Sequence, residues 1–115
     1  MTDWKYNLYL ADLKDEFDRD DDEVDVERCV NVVKERLKLL KQIILKEDDD
    51  PEYFIGGLSG LDYHIDEFEY FDYTGSQQDN ISLFNHKFNE LYDWADWSLI
   101  WINVNNKNMN GIGKL

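Results

Sequence analysis

A long amphipathic segment, from Asp25 to Glu47, constrains the fold more than any other part of the chain. Its apolar residues recur at alternating steps of four and three, which places them on one stripe of an α-helix. The residues of this stripe are Val26, Val30, Val33, Leu37, Leu40 and Ile44. Apolar residues beside the stripe, among them Cys29 and Leu39, widen it into the face of a core helix. The sequence therefore predicts a central helix here, with Asp25 as its N-cap.

The N-terminal segment fits two periodicities. Apolar residues alternate from Trp4 to Leu10 as in a strand, whereas from Tyr6 to Phe17 they step by four, three and four as in a helix. The helical pattern is longer and contains good helix formers. It therefore favours a helix from about Tyr6 to Phe17, preceded by an extended stretch over residues 1–5.

Two later stretches also show helical periodicity. The first predicts a helix that is regular from about Leu58 to Phe71. Glycines near its start, including Gly60, indicate that another helix packs closely against it. The second predicts a last helix that opens at residue 79 or 80. From Ser98 the chain is rich in β-branched and aromatic residues, so it can pair as an extended segment with residues 1–9.

Length and composition set the fold class. A chain of 115 residues has room for one domain, and 43% hydrophobic residues are enough to fill its core. The predicted fold is mainly α, a compact bundle of about four helices that can include a short two-stranded pairing of its N- and C-terminal segments; an α+β fold is the alternative. Residues 1–104 form this domain, and residues 105–115 are predicted to be a flexible tail. The sequence contains no long apolar run and only one cysteine, which indicates a cytoplasmic location. If a phage encodes the protein, this is the cytoplasm of the host cell.

Sequence patterns for metal, nucleotide and catalytic sites are missing. An EF-hand loop that starts at Asp18 would have Glu23 in place of the glycine and Cys29 in place of the bidentate glutamate. Two histidines and one cysteine supply few zinc ligands, and His86 with Glu90 has the spacing of a simple helical pair. The sequence therefore predicts a protein without metal or cofactor that is not an enzyme.

Net charge is the main clue to function. The chain has 26 acidic and 12 basic residues, which give a net charge of −14. A globule of this length is roughly 34 Å across, and duplex DNA of that length carries about 20 charges. A field of this strength repels nucleic acid and anionic lipid and steers the protein toward basic surfaces. We therefore expect a basic protein partner, with no direct binding of nucleic acid or membrane.

Carboxylates cluster in three parts of the chain, and no lysine or arginine occurs between Glu47 and His86. On the predicted third helix, acids and tyrosines share a face opposite the apolar stripe. Such a face suits a basic partner, because tyrosine supplies contact area and carboxylates pair with arginine; a purely solubilising face is the alternative. The residues predicted to bind the partner are Asp20, Asp21, Asp22, Glu23, Asp48, Asp49, Asp50, Asp62, Tyr63, Asp66, Glu69 and Tyr70. Charge reversal of Asp62, Asp66 and Glu69 together is expected to abolish binding and to leave the fold intact.

Three tryptophans, Trp94, Trp97 and Trp101, lie on one face of the last helix and its continuation. In one interpretation they pack in the core against the central helix. In the other they form an exposed aromatic patch, a contact for a second copy or a partner. Asp93 and Asp96, which lie among Tyr92 and these tryptophans in the sequence, are compatible with both interpretations.

In size, charge and acidic clustering (Asp18–Asp25, Glu47–Glu52 and Asp62–Asp72), the chain resembles small acidic proteins of phages and mobile elements that imitate DNA. Those proteins inhibit restriction enzymes, CRISPR effectors or uracil-DNA glycosylase. The resemblance implies that carboxylates stand in for phosphates in a cationic DNA-binding channel. Two alternatives remain: an immunity protein or antitoxin that neutralises a basic nuclease toxin, and a regulator that dimerises through its tryptophan face.

Overall fold

Three helices and a two-stranded sheet make up the part of the chain that the structure describes. The structure is a computed structural model, and it describes residues 6–10, 13, 16, 19–47 and 58–103. Its elements are strand β1 (Tyr6–Tyr9), a 3-10 turn (Asp21–Glu23), helix α1 (Val26–Glu47), helix α2 (Leu58–Glu69), helix α3 (Gln77–Trp97) and strand β2 (Ile100–Asn103). The mainly helical class is confirmed, but the described ranges contain three helices where about four were predicted.

Helix α1 is the central element, as its periodicity predicts. The residues of its apolar stripe are all buried, and α1 packs against α2, α3 and β1. Asp25 caps the helix, because its Oδ1 accepts a hydrogen bond of 3.0 Å from the backbone N–H of Arg28. Cys29 is fully buried, and this burial raises the pKa of its thiol to about 12. Leu39, in contrast, is half exposed, because it lies at the edge of the buried face.

The N-terminal segment begins with a strand, so the helix predicted from about Tyr6 to Phe17 is wrong over Tyr6–Tyr9. Strand β1 pairs in parallel with β2, with Tyr6 opposite Ile100 and Tyr9 opposite Asn103. Leu8 points into the core and its neighbours on β1 point outward, which is the alternation of a half-buried strand. The predicted pairing of the N- and C-terminal segments is therefore confirmed. The predicted tail, residues 105–115, lies outside the described residues.

Helices α2 and α3 differ from their predicted bounds by a few residues. Helix α2 ends at Glu69 rather than near Phe71. Helix α3 begins at Gln77, before residue 79, because the Ser76 side chain caps it by accepting a hydrogen bond from the N–H of Asp79. The close packing predicted at Gly60 is confirmed, since a Cβ there would lie 2.6 Å from Nε1 of Trp94.

A tight turn connects α3 to β2. The N–H of Ser98 donates to the carbonyl of Trp94 at 2.9 Å, and the N–H of Leu99 donates to that of Asp96 at 3.2 Å. Leu99 has a φ of 62°, in the left-handed region that residues other than glycine seldom adopt. This backbone reversal carries the chain from the end of α3 into β2. No helix in the described ranges is long and apolar enough to cross a membrane.

Candidate protein-binding surface

The acidic face predicted on α2 is largely paired with lysines of α1. Asp62 binds Lys41 at 2.7 Å, and Glu69 binds Lys34 at 3.1 Å and Lys38 at 3.6 Å. The hydrogen bond from Lys34 and the charges of both lysines lower the pKa of Glu69. The segment from Glu47 to His86 contains no lysine or arginine, but the neighbouring helix supplies cations to this face.

Tyr63 also has a partner within the chain, whereas Asp66 and Tyr70 are more open. The hydroxyl of Tyr63 donates to Oε1 of Glu67 at 3.1 Å, which raises the pKa of the phenol. Lys87 binds the other oxygen of Glu67, also at 3.1 Å. Burial works to raise the pKa of Glu67, but these two hydrogen bonds and the charge of Lys87 together outweigh it, so the pKa is lowered. Asp66 is exposed, with no described cation at ion-pair distance, and Tyr70 is 78% exposed.

A second set of carboxylates gathers where α1 and α3 begin, and we call it the acidic end. The 3-10 turn is held by hydrogen bonds from the N–H groups of Glu23 and Val24 to the carbonyl of Asp20. The amide of Gln77 donates to the carbonyl of Val24, which fixes the start of α3 against this turn. The exposed carboxylates that define the acidic end belong to Asp20, Asp22, Glu23, Asp25, Glu27 and Asp79.

Tyr73 lies close enough to the acidic end for its carboxylates to affect the pKa of the phenol. Burial, followed by the charges of Glu27 and Asp25, raises the pKa of its phenol. Glu27 and Asp25, together with Arg28, also line a shallow, open depression at the start of α1. The acidic end therefore offers carboxylates together with a partly exposed aromatic ring.

The two arginines near the acidic end bind a buried carboxylate instead. Glu16 is 3% exposed, and its Oε1 lies 3.6 Å from Arg19 and 3.5 Å from Arg28. Its Oε2 accepts a hydrogen bond of 2.8 Å from the N–H of Asp25. Sequence reasoning missed Glu16, because nothing in an acid-rich stretch distinguishes the one carboxylate that folds inward.

The structure places the predicted acids of the first loop at this site. Asp20, Asp22 and Glu23 are exposed there, and no cation in the described ranges lies within ion-pair distance of them. Asp21 is the first residue of the same 3-10 turn. Asp48, Asp49 and Asp50 lie outside the described residues. The predicted partner-binding set leaves out the other members of the acidic end, Asp25, Glu27 and Asp79, because carboxylates at the start of a helix are also explained by capping and by the helix dipole.

The three tryptophans divide between the two interpretations. Trp94 packs against the core, beside Gly60 and with its ring centroid 5.1 Å from that of His64. Trp97 is 66% exposed and Trp101 is 40% exposed. Trp94 is therefore partly buried against the core, as in the first interpretation, whereas Trp97 and Trp101 are exposed, as the second interpretation requires.

The chemistry of the acidic end is that of carboxylates and a phenol. Carboxylates accept hydrogen bonds from lysine and pair with arginine through two parallel hydrogen bonds. Within the described ranges, no three histidine, cysteine, aspartate or glutamate side chains are placed to hold a metal ion. No protein-family model, curated protein or solved structure matches the chain.

Proposed function

We propose that this protein binds a basic, nucleic-acid-binding protein and inhibits it by placing the acidic end where nucleic acid would bind. One observation carries the proposal: exposed carboxylates from the 3-10 turn and from the first turns of α1 and α3 share one end of the molecule, and the nearby arginines are bound to Glu16. The carboxylates take the role of phosphates, so the action is binding rather than catalysis.

Helix stability does not explain the whole acidic end. Carboxylates in the first turn of a helix are stabilised by the helix dipole, which accounts for Asp25, Glu27 and Asp79. Asp20 makes no side-chain hydrogen bond that would cap the 3-10 turn. Asp22 and Glu23 also lack a described cation within ion-pair distance. Repulsion among these three carboxylates remains in the free protein, and a cationic partner would relieve it.

The distribution of lysines also supports a complex in which the acidic end faces the partner. Lys34, Lys38 and Lys41 lie along α1 and contact α2, away from the start of α1. The negative potential is therefore less compensated at the acidic end than beside α2. Such asymmetry speeds association with a basic surface and favours one orientation of approach.

The direct test compares two double variants that change the net charge equally. Asp20→Asn with Asp22→Asn alters the acidic end, and Glu35→Gln with Glu90→Gln alters exposed carboxylates elsewhere. The wild-type protein is immobilised and used to capture partners from a lysate of its host cell. We expect this experiment to capture a nucleic-acid-binding protein, and we expect both duplex DNA and added salt to displace it. We also expect the first variant to bind it about tenfold more weakly, and the control to bind it like the wild type.

Two outcomes would contradict parts of this proposal. A captured nuclease that competing DNA does not displace would favour the immunity-protein alternative, in which the same acidic surface blocks one cognate toxin. Equal weakening by both double variants would show that only net charge matters, and would refute the assignment of binding to the acidic end.

A further inference from the structure

A second surface combines an exposed aromatic ring with carboxylates near the end of α3. We call Asp93, Asp96 and Trp97 the aromatic patch. Both carboxylates are exposed, and Trp97 is the more exposed of the two exposed tryptophans described above. Asp93 and Trp97 are four residues apart in α3, so they are neighbours on one face of the helix.

The stability of the isolated chain does not account for this combination. Carboxylates in the last turn of a helix face the negative end of the helix dipole, which disfavours them. The last turn of α3 contains no basic residue, and the sequence has no lysine or arginine from Phe88 to Asn106. Trp97 keeps most of its large apolar surface in water. A cationic and planar ligand would relieve both disadvantages at once.

We propose that the aromatic patch binds an arginine side chain of the basic partner. A guanidinium group stacks on the face of an indole ring, and its N–H groups are free to donate to a carboxylate at the edge of that ring. Trp97 supplies the ring and Asp93 the carboxylate, with Asp96 adding negative charge. The inference rests on the proposed function for the basic character of the partner, and it adds the residue type and a second contact surface.

The chain already contains a contact of this type. The guanidinium carbon of Arg36 lies 5.5 Å from the centre of the Tyr9 ring, within the usual range of cation–π contacts. A second copy of the chain is a poor occupant of the aromatic patch. Each copy carries a net charge of −14, and a symmetric contact would bring the carboxylates of Asp93 and Asp96 toward their own counterparts.

The test uses defined peptides and so does not require the natural partner. Binding of fluorescently labelled octa-arginine and octa-lysine is measured by anisotropy, with the full chain at low ionic strength. Trp97→Ala removes the proposed ring, and Leu45→Ala removes an exposed apolar side chain elsewhere as the control. Asp93→Asn and Glu35→Gln form a second pair, in which each variant loses one exposed carboxylate.

We expect octa-arginine to bind more tightly than octa-lysine. We expect Trp97→Ala and Asp93→Asn each to weaken octa-arginine binding about fivefold, as loss of an exposed cation–π or charged contact does. Leu45→Ala and Glu35→Gln should change it less than twofold. In an NMR titration, the indole N–H signal that Trp97→Ala removes should be among those that octa-arginine shifts.

Three results would overturn the inference. Trp97→Ala could bind octa-arginine like the wild type, or Asp93→Asn and Glu35→Gln could weaken binding equally. Sedimentation could instead show self-association that Trp97→Ala abolishes, which would assign the patch to a second copy. The double variant Asp20→Asn with Asp22→Asn leaves the patch unchanged, so it tests the proposed function separately from this inference.

Discussion

Replacing Gly60 with alanine tests the packing of α2 against α3. Alanine gains up to about 1 kcal/mol over glycine in helix propensity, so on an open surface the change would stabilise the protein. Here the new Cβ would lie 2.6 Å from Nε1 and 3.2 Å from Cε2 of Trp94, closer than the ~3.5 Å of van der Waals contact. The indole must move by roughly 1 Å against the core, and overpacking of this kind typically costs about 1–3 kcal/mol. We expect Gly60→Ala to destabilise the fold by about 1–2 kcal/mol.

The assay is urea unfolding followed by far-ultraviolet circular dichroism. A loss of this size lowers the urea concentration at the unfolding midpoint by about 0.5–1 M, if the free energy of unfolding falls by about 2 kcal/mol per M of urea. Gly75→Ala is the matched control: a Cβ at Gly75 has no heavy atom within 4 Å, so that variant should be as stable as the wild type or slightly more so. Trp94→Phe should reduce the cost of Gly60→Ala in a double-mutant cycle, because it removes the indole ring that the Cβ meets. A Gly60→Ala variant more stable than the wild type would refute the reasoning.

Three further predictions concern charged and titratable groups. Burial lowers the pKa of His64 below its usual value of 6.5. As the pH drops through about 6.5, the unfolded chain therefore binds more protons than the folded protein. The free energy of unfolding, measured by urea titration, should fall between pH 7 and about 5.5. The variant His64→Leu should lose this pH dependence, and His86→Gln should keep it. Glu16→Gln should destabilise the fold by about 1–2 kcal/mol in the same assay, since it removes the charge of a buried carboxylate that faces two arginines and accepts one backbone hydrogen bond; an unchanged midpoint would contradict that role. Asp62→Lys with Glu69→Lys should lower the urea midpoint by placing lysines beside those of α1, and Asp66→Lys should not.

The last of these predictions revises the expectation drawn from the sequence that charge reversal on α2 leaves the fold intact. The positions of Asp62 and Glu69 on an outward face are readable from helical periodicity. Their partners are not, because the rotation and crossing of α1 over α2 decide which lysines come within reach. A segment without lysine or arginine in its own sequence can still be neutralised by its neighbour in space.

Helical periodicity predicts α1 well because its apolar stripe is long and its cap is local. The strand β1 could not be distinguished from a helix in the same way. Its four residues carry little periodic signal, and a good helical pattern overlaps them. What selects the strand is hydrogen bonding to β2, a partner more than ninety residues away along the chain. Likewise, one helical face contains both the partly buried Trp94 and the exposed Trp97. Periodicity could not predict this difference, because it does not show how far the neighbouring helix covers that face.

The parallel pairing of β1 with β2 also orders the events of biosynthesis. The ribosome releases β1 early, and its hydrogen-bonding partner is made only after α3 is complete. Closing so long a loop costs conformational entropy that only the finished contacts repay, so this step comes late in folding. Leu8, Ile100 and Ile102 are buried together in the core. A nascent chain that stalls within α3 therefore exposes Leu8 to chaperones and proteases, and synthesis of β2 ends that exposure.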